Sequence, residues 1–399
     1  MSTTPRRITP AERRARLTRR HLLASPARVG EADQVARALI GLHATDPATV
    51  FLSAAARMRT PTPHDISRTV YDPSAMARIR CMRRTMFAVP AALAPMIQAA
   101  AVKDLHRHRP EAMKRLSEAA DWDEARYREA ERDLLAALAR CGEATAAELA
   151  ADVADLREQI ITFPGKPYES RQRVCATVLG VLAAEGRVRR ARPAGSWTSA
   201  QFRWAPAEPL PALPAAQAQA ELARHYLAAF GPATAEDLKW WTGWSMTVTR
   251  KALAAADAVE VALDEGTGYL LAEDAGPVRA LEPAATLLPG LDPTPMGWRH
   301  RDFYLELDHT KALFDRNGNI GPTIWWDGRV IGAWAQHRDG HINHHLLTDP
   351  GREARTAITA EIARLTAFLG ATRVTPCYRT PLERDLAAQP SRTTPDNRT

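Results

Sequence analysis

The sequence predicts an α+β protein, mainly α, in which winged-helix units succeed one another and a C-terminal antiparallel β/α portion ends the fold. Three observations carry this reading. The segments CGEATAAELA from Cys141 and FGPATAEDLK from Phe230 are copies of one pattern, pairing Gly142 with Gly231, Thr145 with Thr234 and Leu149 with Leu238. Both copies stand in the same order of elements: a helix before the glycine, a Thr-capped short helix, a third helix, then an extended hairpin pattern. That is the order of a winged helix. From Leu287 the chain turns β-rich, with Asp-Gly turns at 327–328 and 339–340.

Taken in order, residues 1–130 form a helical, winged-helix-like domain, a third and less regular copy. Its helical patterns run over about 10–24, 31–42, 47–58 and 90–103, with an extended RRTMFAVP at 83–90. Residues 131–207 are the first clear winged helix, with its third helix over 170–186 and a wing made of RVRRARP, a PAGSWTS turn and QFRWAP. A Pro-rich linker, PAEPLPALPAA (206–216), leads to the second, residues 208–278, whose wing is VEVALD, an EGTG turn and YLLAED. Residues 279–399 hold a three-strand antiparallel meander with a helix over about 353–369 on one face.

Composition bounds the function. Of 399 residues, 45% are apolar and 25% charged, which describes a soluble globular protein. There is no apolar run long enough for a membrane span, and the basic N-terminus lacks an apolar signal region, so a cytoplasmic location is expected. Four scattered cysteines without a CxxC pair argue against zinc, iron–sulfur or disulfide frameworks. A net charge of +7 points toward a polyanionic partner. Only six of the 53 Lys and Arg residues are lysines, and arginine suits phosphate forks, although a GC-rich genome also explains the excess.

Several residues are candidates for binding. Arg187, Arg189, Arg190 and Arg192 crowd the first wing, beside Arg171 and Arg173 on the third helix, an arrangement suited to phosphates along a duplex. A solvated strand face is the alternative. The second wing is acidic (Glu260, Asp264, Glu265) and is not expected to repeat the contact. His341, His344 and His345 invite a metal reading, but neighbours on a strand face apart, so no metal and no cofactor is expected. Trp325 and Trp326 also point opposite ways, which leaves one of them, with Arg329, toward solvent or DNA.

GLHATDPATVF, from Gly41, joins two helical patterns through His43, Thr45 and Asp46. Asp46-Pro47 reads as an N-cap followed by Pro at the first helical position. His43 has no such duty; it is a helix C-terminal residue, a satisfied core histidine, or a residue that does chemistry.

The chain resembles the AlkZ/YcaQ-like family of bacterial DNA glycosylases over nearly its whole length. VARALIGLHATDPATVFLSAAAR, RCMRRTMFAVPAALAPM and LLPGLDPTPMGWRHRDFYL…GNIGPTIWWDGRVIGAWAQ carry the resemblance. The resemblance implies tandem winged helices and hydrolysis of the N-glycosidic bond of alkylated purines. These include bulky N7-alkylguanine adducts and, in some members, crosslinks. It places the family's Gln-X-Gln or Gln-X-Asp motif at 43–45, where this chain has His43 and Thr45 instead. The His-X-Thr form is similar to that of members associated with self-resistance to DNA-alkylating natural products.

The expected chemistry derives from the lesion. N7 alkylation makes guanine a cationic leaving group, so the enzyme must activate a water and tolerate an oxocarbenium-like sugar. A neutral His43 accepts the water's proton, the Thr45 hydroxyl holds that water, and Asp46 assists if its cap leaves one oxygen free. A shortage of lysines, with none near 43, argues against a Schiff-base lyase. Arg57 and Arg59, then Arg83 and Arg84 on the following strand, are candidates for phosphates flanking the lesion. The expected partner is double-stranded DNA carrying an alkylated purine, bound by a monomer. The rival readings are a non-enzymatic winged-helix regulator and a protein that sequesters the drug.

Overall fold

The computed structural model describes residues 5–101, 105–162, 165–166 and 169–390. These form two compact units, one built from the residues up to Ala101 together with those from Leu213 onward, the other from Val102 to Ala212.

The first unit begins with α1 (Pro10–Arg20), capped by Thr9, and α2 (Ala32–Ala38), opened by a Glu31/Gln34 capping box. The helical pattern expected to reach residue 42 stops at Ala38. Ile40 takes a left-handed backbone (φ 65°), and Gly41 lets the chain pass close to the neighbouring strand. A Cβ at Gly41 would stand 2.8 Å from Val89 Cγ1 and 3.1 Å from the Ala88 carbonyl oxygen. The chain continues into a short strand, β1 (Leu42–His43), then α3 (Pro47–Arg57), α4 (Pro63–Val70), β2 (Met76–Arg80), β3 (Met86–Pro90) and α5 (Ala94–Ala101). Arg83 and Arg84 lie in the β2–β3 turn with left-handed backbones (φ 51° and 62°), not on a strand as the extended pattern suggested. Only from Met86 does the chain pair with β2.

The second unit holds α6 (Leu105–Ala120), α7 (Glu124–Cys141), β4 (Ala144–Thr145), α8 (Ala146–Asp152), β5 (Gln159–Thr162), β6 (Ser170–Arg173), α9 (Val174–Ala184), β7 (Val188–Pro193) and β8 (Phe202–Pro206). The expected third helix over 170–186 starts only at Val174. Its first four residues pair with β5 in an inserted hairpin, so Arg171 and Arg173 stand on a strand. Thr145 caps α8 as the repeat predicted, its Oγ1 accepting from Glu148 N at 3.2 Å.

The first unit resumes with α10 (Ala215–Phe230), β9 (Ala233–Thr234), α11 (Ala235–Thr242), α12 (Met246–Ala255), β10 (Ala258–Leu263) and β11 (Gly266–Leu271). Thr234 caps α11 in the same way, at 3.1 Å from Asp237 N. The sheet orders β1-β3-β2, β4-β8-β7 and β9-β11-β10 are the same arrangement three times over: the strand before the second helix lies beside the last strand of the hairpin. The winged-helix order thus recurs in the N-terminal segment as well. In the last copy the acidic wing is occupied within the protein, Asp264 pairing with Arg7 at 3.0 Å and Glu265 with the buried Arg13.

The C-terminal part has β12 (Ala285–Leu288), α13 (Thr310–Leu313), β13 (Thr323–Trp326), β14 (Arg329–Gln336), β15 (Ile342–Leu346), α14 (Gly351–Leu369) and α15 (Pro381–Ala388). The sheet has four strands in chain order, the expected meander plus β12 on its edge. Trp325 is buried and stacks on Tyr304 at 5.3 Å, while Trp326 is half-buried, as their alternation required.

A candidate active site around His43

The site is built on α3 and on the loop that α3 holds. All eleven residues of α3 are buried, Arg57 completely. The Arg57 guanidinium grips Asp292 through two bonds, Nη2 to Oδ1 at 2.7 Å and Nη1 to Oδ2 at 2.9 Å, and reaches the His21 carbonyl at 2.8 Å. Ser53 donates to Asp292 at 2.6 Å and Thr49 to the Gly290 carbonyl at 2.8 Å. These bonds fix the turn after β12, which carries Met296 into a cavity of about 220 Å³. The expectation that Arg57 meets a phosphate is therefore corrected: no face of it reaches solvent, and its charge is met by Asp292.

His43 lines the same cavity from β1. It pairs with Phe87 of β3, whose ring lies 5.0 Å from the imidazole. It is 3% exposed, and its Nδ1 has no hydrogen-bond partner among the described residues. His43 is thus neither the end of a helix nor a satisfied core histidine. Burial, reinforced by the nearby Arg83 charge and opposed by Asp292, lowers its pKa to about 3, so the imidazole is neutral across the physiological range.

Asp46 caps α3, Oδ1 accepting from Ala48 N at 3.0 Å, and its Oδ2 accepts from Cys377 N at 2.9 Å. Both carboxylate oxygens are committed, so the condition for Asp46 to orient His43 is not met; it shapes the strand-to-helix junction. Thr45 is exposed and stands outside the cavity lining.

The rest of the lining comes from Arg83 in the β2–β3 turn and from residues far along the chain: Trp240, Arg301 and the Asn317–Asn319 turn. Asp315 folds that turn, its Oδ1 accepting from Asn317 N (2.8 Å) and Asn319 N (2.9 Å) and its Oδ2 from Asn319 Nδ2 (2.9 Å). Trp240, Arg301 and the asparagines were missed by sequence reasoning. The signal was present, because Arg301 and Asn319 are polar residues inside the tail segments that carry the family resemblance.

The other arginines divide by environment. Arg59 and Arg84 are exposed, Arg59 donating to the Arg28 carbonyl at 2.7 Å. In the second unit Arg171, Arg173 and Arg192 are exposed and Arg189 is half-buried. Arg187 pairs with Glu131, and Arg190 lies 5.3 Å from the Phe202 ring, so both are tied to their own unit. Arg329, at the β13–β14 turn, is exposed. His344 and His345 are exposed on β15, and no group of three or more His, Cys, Asp or Glu side chains among the described residues is placed to hold a metal.

Behind the site, His21 is wholly buried. Its Nε2 lies 3.1 Å from the Ala229 carbonyl and its Nδ1 2.9 Å from Thr294 Oγ1, which also accepts from Arg57 at 2.7 Å. A hydroxyl that accepts from arginine donates to Nδ1, which places the imidazole proton on Nε2. Burial, reinforced by Arg57, lowers this pKa to about 3 as well. Because the unfolded chain binds more protons than the fold between about pH 6.5 and 3, stability is complete above that window and declines as pH falls through it. Each of the two histidines is expected to contribute about 1.4 kcal/mol per pH unit inside the window. Thermal denaturation at pH 7.5 and pH 5.0 checks this; an unchanged Tm would contradict neutral burial.

Three winged-helix arrangements, with a cavity that brings a neutral histidine together with two arginines, define the protein as one of the winged-helix class. The family model described as DNA glycosylase AlkZ-like matches residues 36–368, and the chain belongs to that family. It is a DNA glycosylase, a hydrolase of N-glycosyl bonds whose substrate is DNA, and the resemblance read from the three sequence segments is borne out. The fold is similar to that of the Streptomyces sahachiroi DNA glycosylase AlkZ, with a TM-score of 0.67 and 21% identity over 92% of this chain and 98% of that one. No curated protein matches the chain. No helix among the described residues is long and apolar enough to cross a membrane.

Proposed function

We propose that this glycosylase releases N7-alkylguanine from duplex DNA, bulky adducts included, with His43 as the general base. The observation that carries the reading is a neutral imidazole with an unpartnered Nδ1 in a polar cavity, at the position of the family's catalytic motif. The cationic guanine leaves without needing an acid. His43 takes the proton of the attacking water; Thr45, at the second motif position, is exposed and outside the cavity lining, so it is not placed to hold that water. Asp46 keeps the junction in shape. The product is an abasic site in an intact strand, since among the described residues no lysine lines the cavity to supply a Schiff-base nucleophile.

The enzyme works as a monomer, in repair of or self-resistance to a DNA-alkylating natural product. The exposed arginines Arg59, Arg84, Arg171, Arg173, Arg192 and Arg329, together with Arg189, contact backbone phosphates. Family membership sets aside the non-enzymatic regulator and the drug-sequestering protein.

The size of the accepted lesion tests the specificity. A cavity of about 220 Å³ is too small to enclose a bulky modified base, so the adduct must lie along the protein surface while the sugar meets His43. Single-turnover release of N7-methylguanine and of a bulky N7 adduct from the same duplex is therefore expected to differ by less than about tenfold (1.4 kcal/mol). Release of the methylated base alone would overturn the bulky-adduct reading.

A further inference from the structure

We propose that Arg83 and Arg301 form a clamp for one phosphodiester group of the damaged strand, seated in the cavity beside His43. The inference rests on the reading of that cavity as the glycosylase site.

Four observations support the clamp. The Arg83 guanidinium lies 3.9 Å and that of Arg301 5.0 Å from the centre of the Trp240 ring, and Arg301 also lies 4.9 Å from Phe314. Aromatic faces hold a planar guanidinium while leaving its N–H edges free to donate. Neither arginine is paired with a carboxylate among the described residues; Arg301 reaches only the Tyr304 hydroxyl. The Nε atoms of both are buried without a partner, as is His43 Nδ1, so three residues that line one cavity each carry an orphan polar atom. Finally, Arg83 cannot swing aside freely. It sits in the left-handed β2–β3 turn, whose backbone packs against Gly243 at the end of α11.

Buried donors without partners cost free energy, and two like charges facing each other add to it. Burial and the Arg301 charge together hold the Arg83 pKa down to about 10. An oxyanion between the two guanidiniums satisfies both at once, with charge-assisted bonds. The reaction needs the same anion. Two unpaired cations would repel both a positively charged N7-alkylguanine and the cationic sugar that forms as it leaves. A seated phosphate removes much of that repulsion and fixes the sugar next to His43. The charged groups acting on His43 are then Arg83, Asp292 and the bound phosphate, with Arg301 acting on Arg83.

The test is a scan of the damaged strand with single neutral methylphosphonate linkages around one N7-alkylguanine. Duplex affinity is read by fluorescence anisotropy and release in single turnover, for wild type, Arg83→Gln and Arg301→Gln. One linkage is expected to cost wild type about tenfold or more in affinity and rate, and the same linkage to cost either variant less than about twofold. A scan in which no single linkage matters to the wild type would overturn the clamp without recourse to any variant. So would a sensitive linkage whose cost is unchanged in both folded variants. The affinity readout is independent of catalysis. A wild type that binds with the predicted linkage sensitivity but releases no base would retain the clamp and remove the catalytic reading of the cavity.

Discussion

His43→Ala is expected to slow base release by about 10²- to 10⁴-fold, the usual contribution of a positioned general base. Duplex affinity should stay within a few fold of the wild type. The size of the effect reflects the surroundings of the ring. It is buried and uncharged, and its Nδ1 has no hydrogen-bond partner among the described residues. Among the described residues no carboxylate and no second histidine lines the cavity, and both oxygens of Asp46, the nearest carboxylate in sequence, are held by backbone N–H groups. His43→Gln separates two roles. An amide can hold the water but cannot take its proton, so this variant is expected to fall between wild type and His43→Ala. Thermal denaturation of each variant distinguishes lost chemistry from lost packing against Phe87. A fully active His43→Ala would remove the proton-accepting role.

The second large effect is on stability. Arg57 and Asp292 are both entirely buried and joined by two hydrogen bonds, with Ser53 and the Thr294 amide completing the carboxylate's partners. Removing one member leaves a charge with neither water nor counterion, which costs about 3–5 kcal/mol. Asp292→Ala and Arg57→Ala are each expected to lower Tm by roughly 10 °C. The double substitution should cost less than the sum of the two, because neither charge is then left alone. Additive losses would show that the pair does not act as a unit. The turn at 290–298 that the pair anchors also carries Met296 to the cavity, so activity should fall in these variants even well below their Tm.

How much of the fold was legible in the sequence depended on how local its causes were. The Thr caps of α8 and α11 are set by residues three apart, and the tandem winged-helix order could be read from them. The inserted β5–β6 hairpin was missed because SRQR runs directly into the apolar stripe of α9 and reads as its first turn. The early end of α2 was missed for a different reason. It depends on Gly41 passing against β3, a contact between residues about fifty positions apart.

The same limit applied to the site. His43 stood out through the family motif, whereas the residues alone left it open between a helix end, a satisfied core histidine and a residue that does chemistry. Arg57 looks like a surface arginine at a helix end until Asp292, more than two hundred residues away, is placed against it. Conversely, Trp240 and Arg301 join the candidate site only once the fold brings them into one cavity with His43. Asp46 was legible as a cap, but Cys377, which occupies its second oxygen, was not.

The most direct measurement is single-turnover incubation of wild-type protein with a duplex carrying one bulky N7-alkylguanine, resolved on a denaturing gel with and without hot alkali. Strand breaks at the adducted guanine are expected only after alkali, marking an abasic site in an intact strand. Tight binding of the duplex with no alkali-labile site, for the bulky adduct and for N7-methylguanine alike, would contradict a glycosylase that uses His43 on N7-alkylguanine.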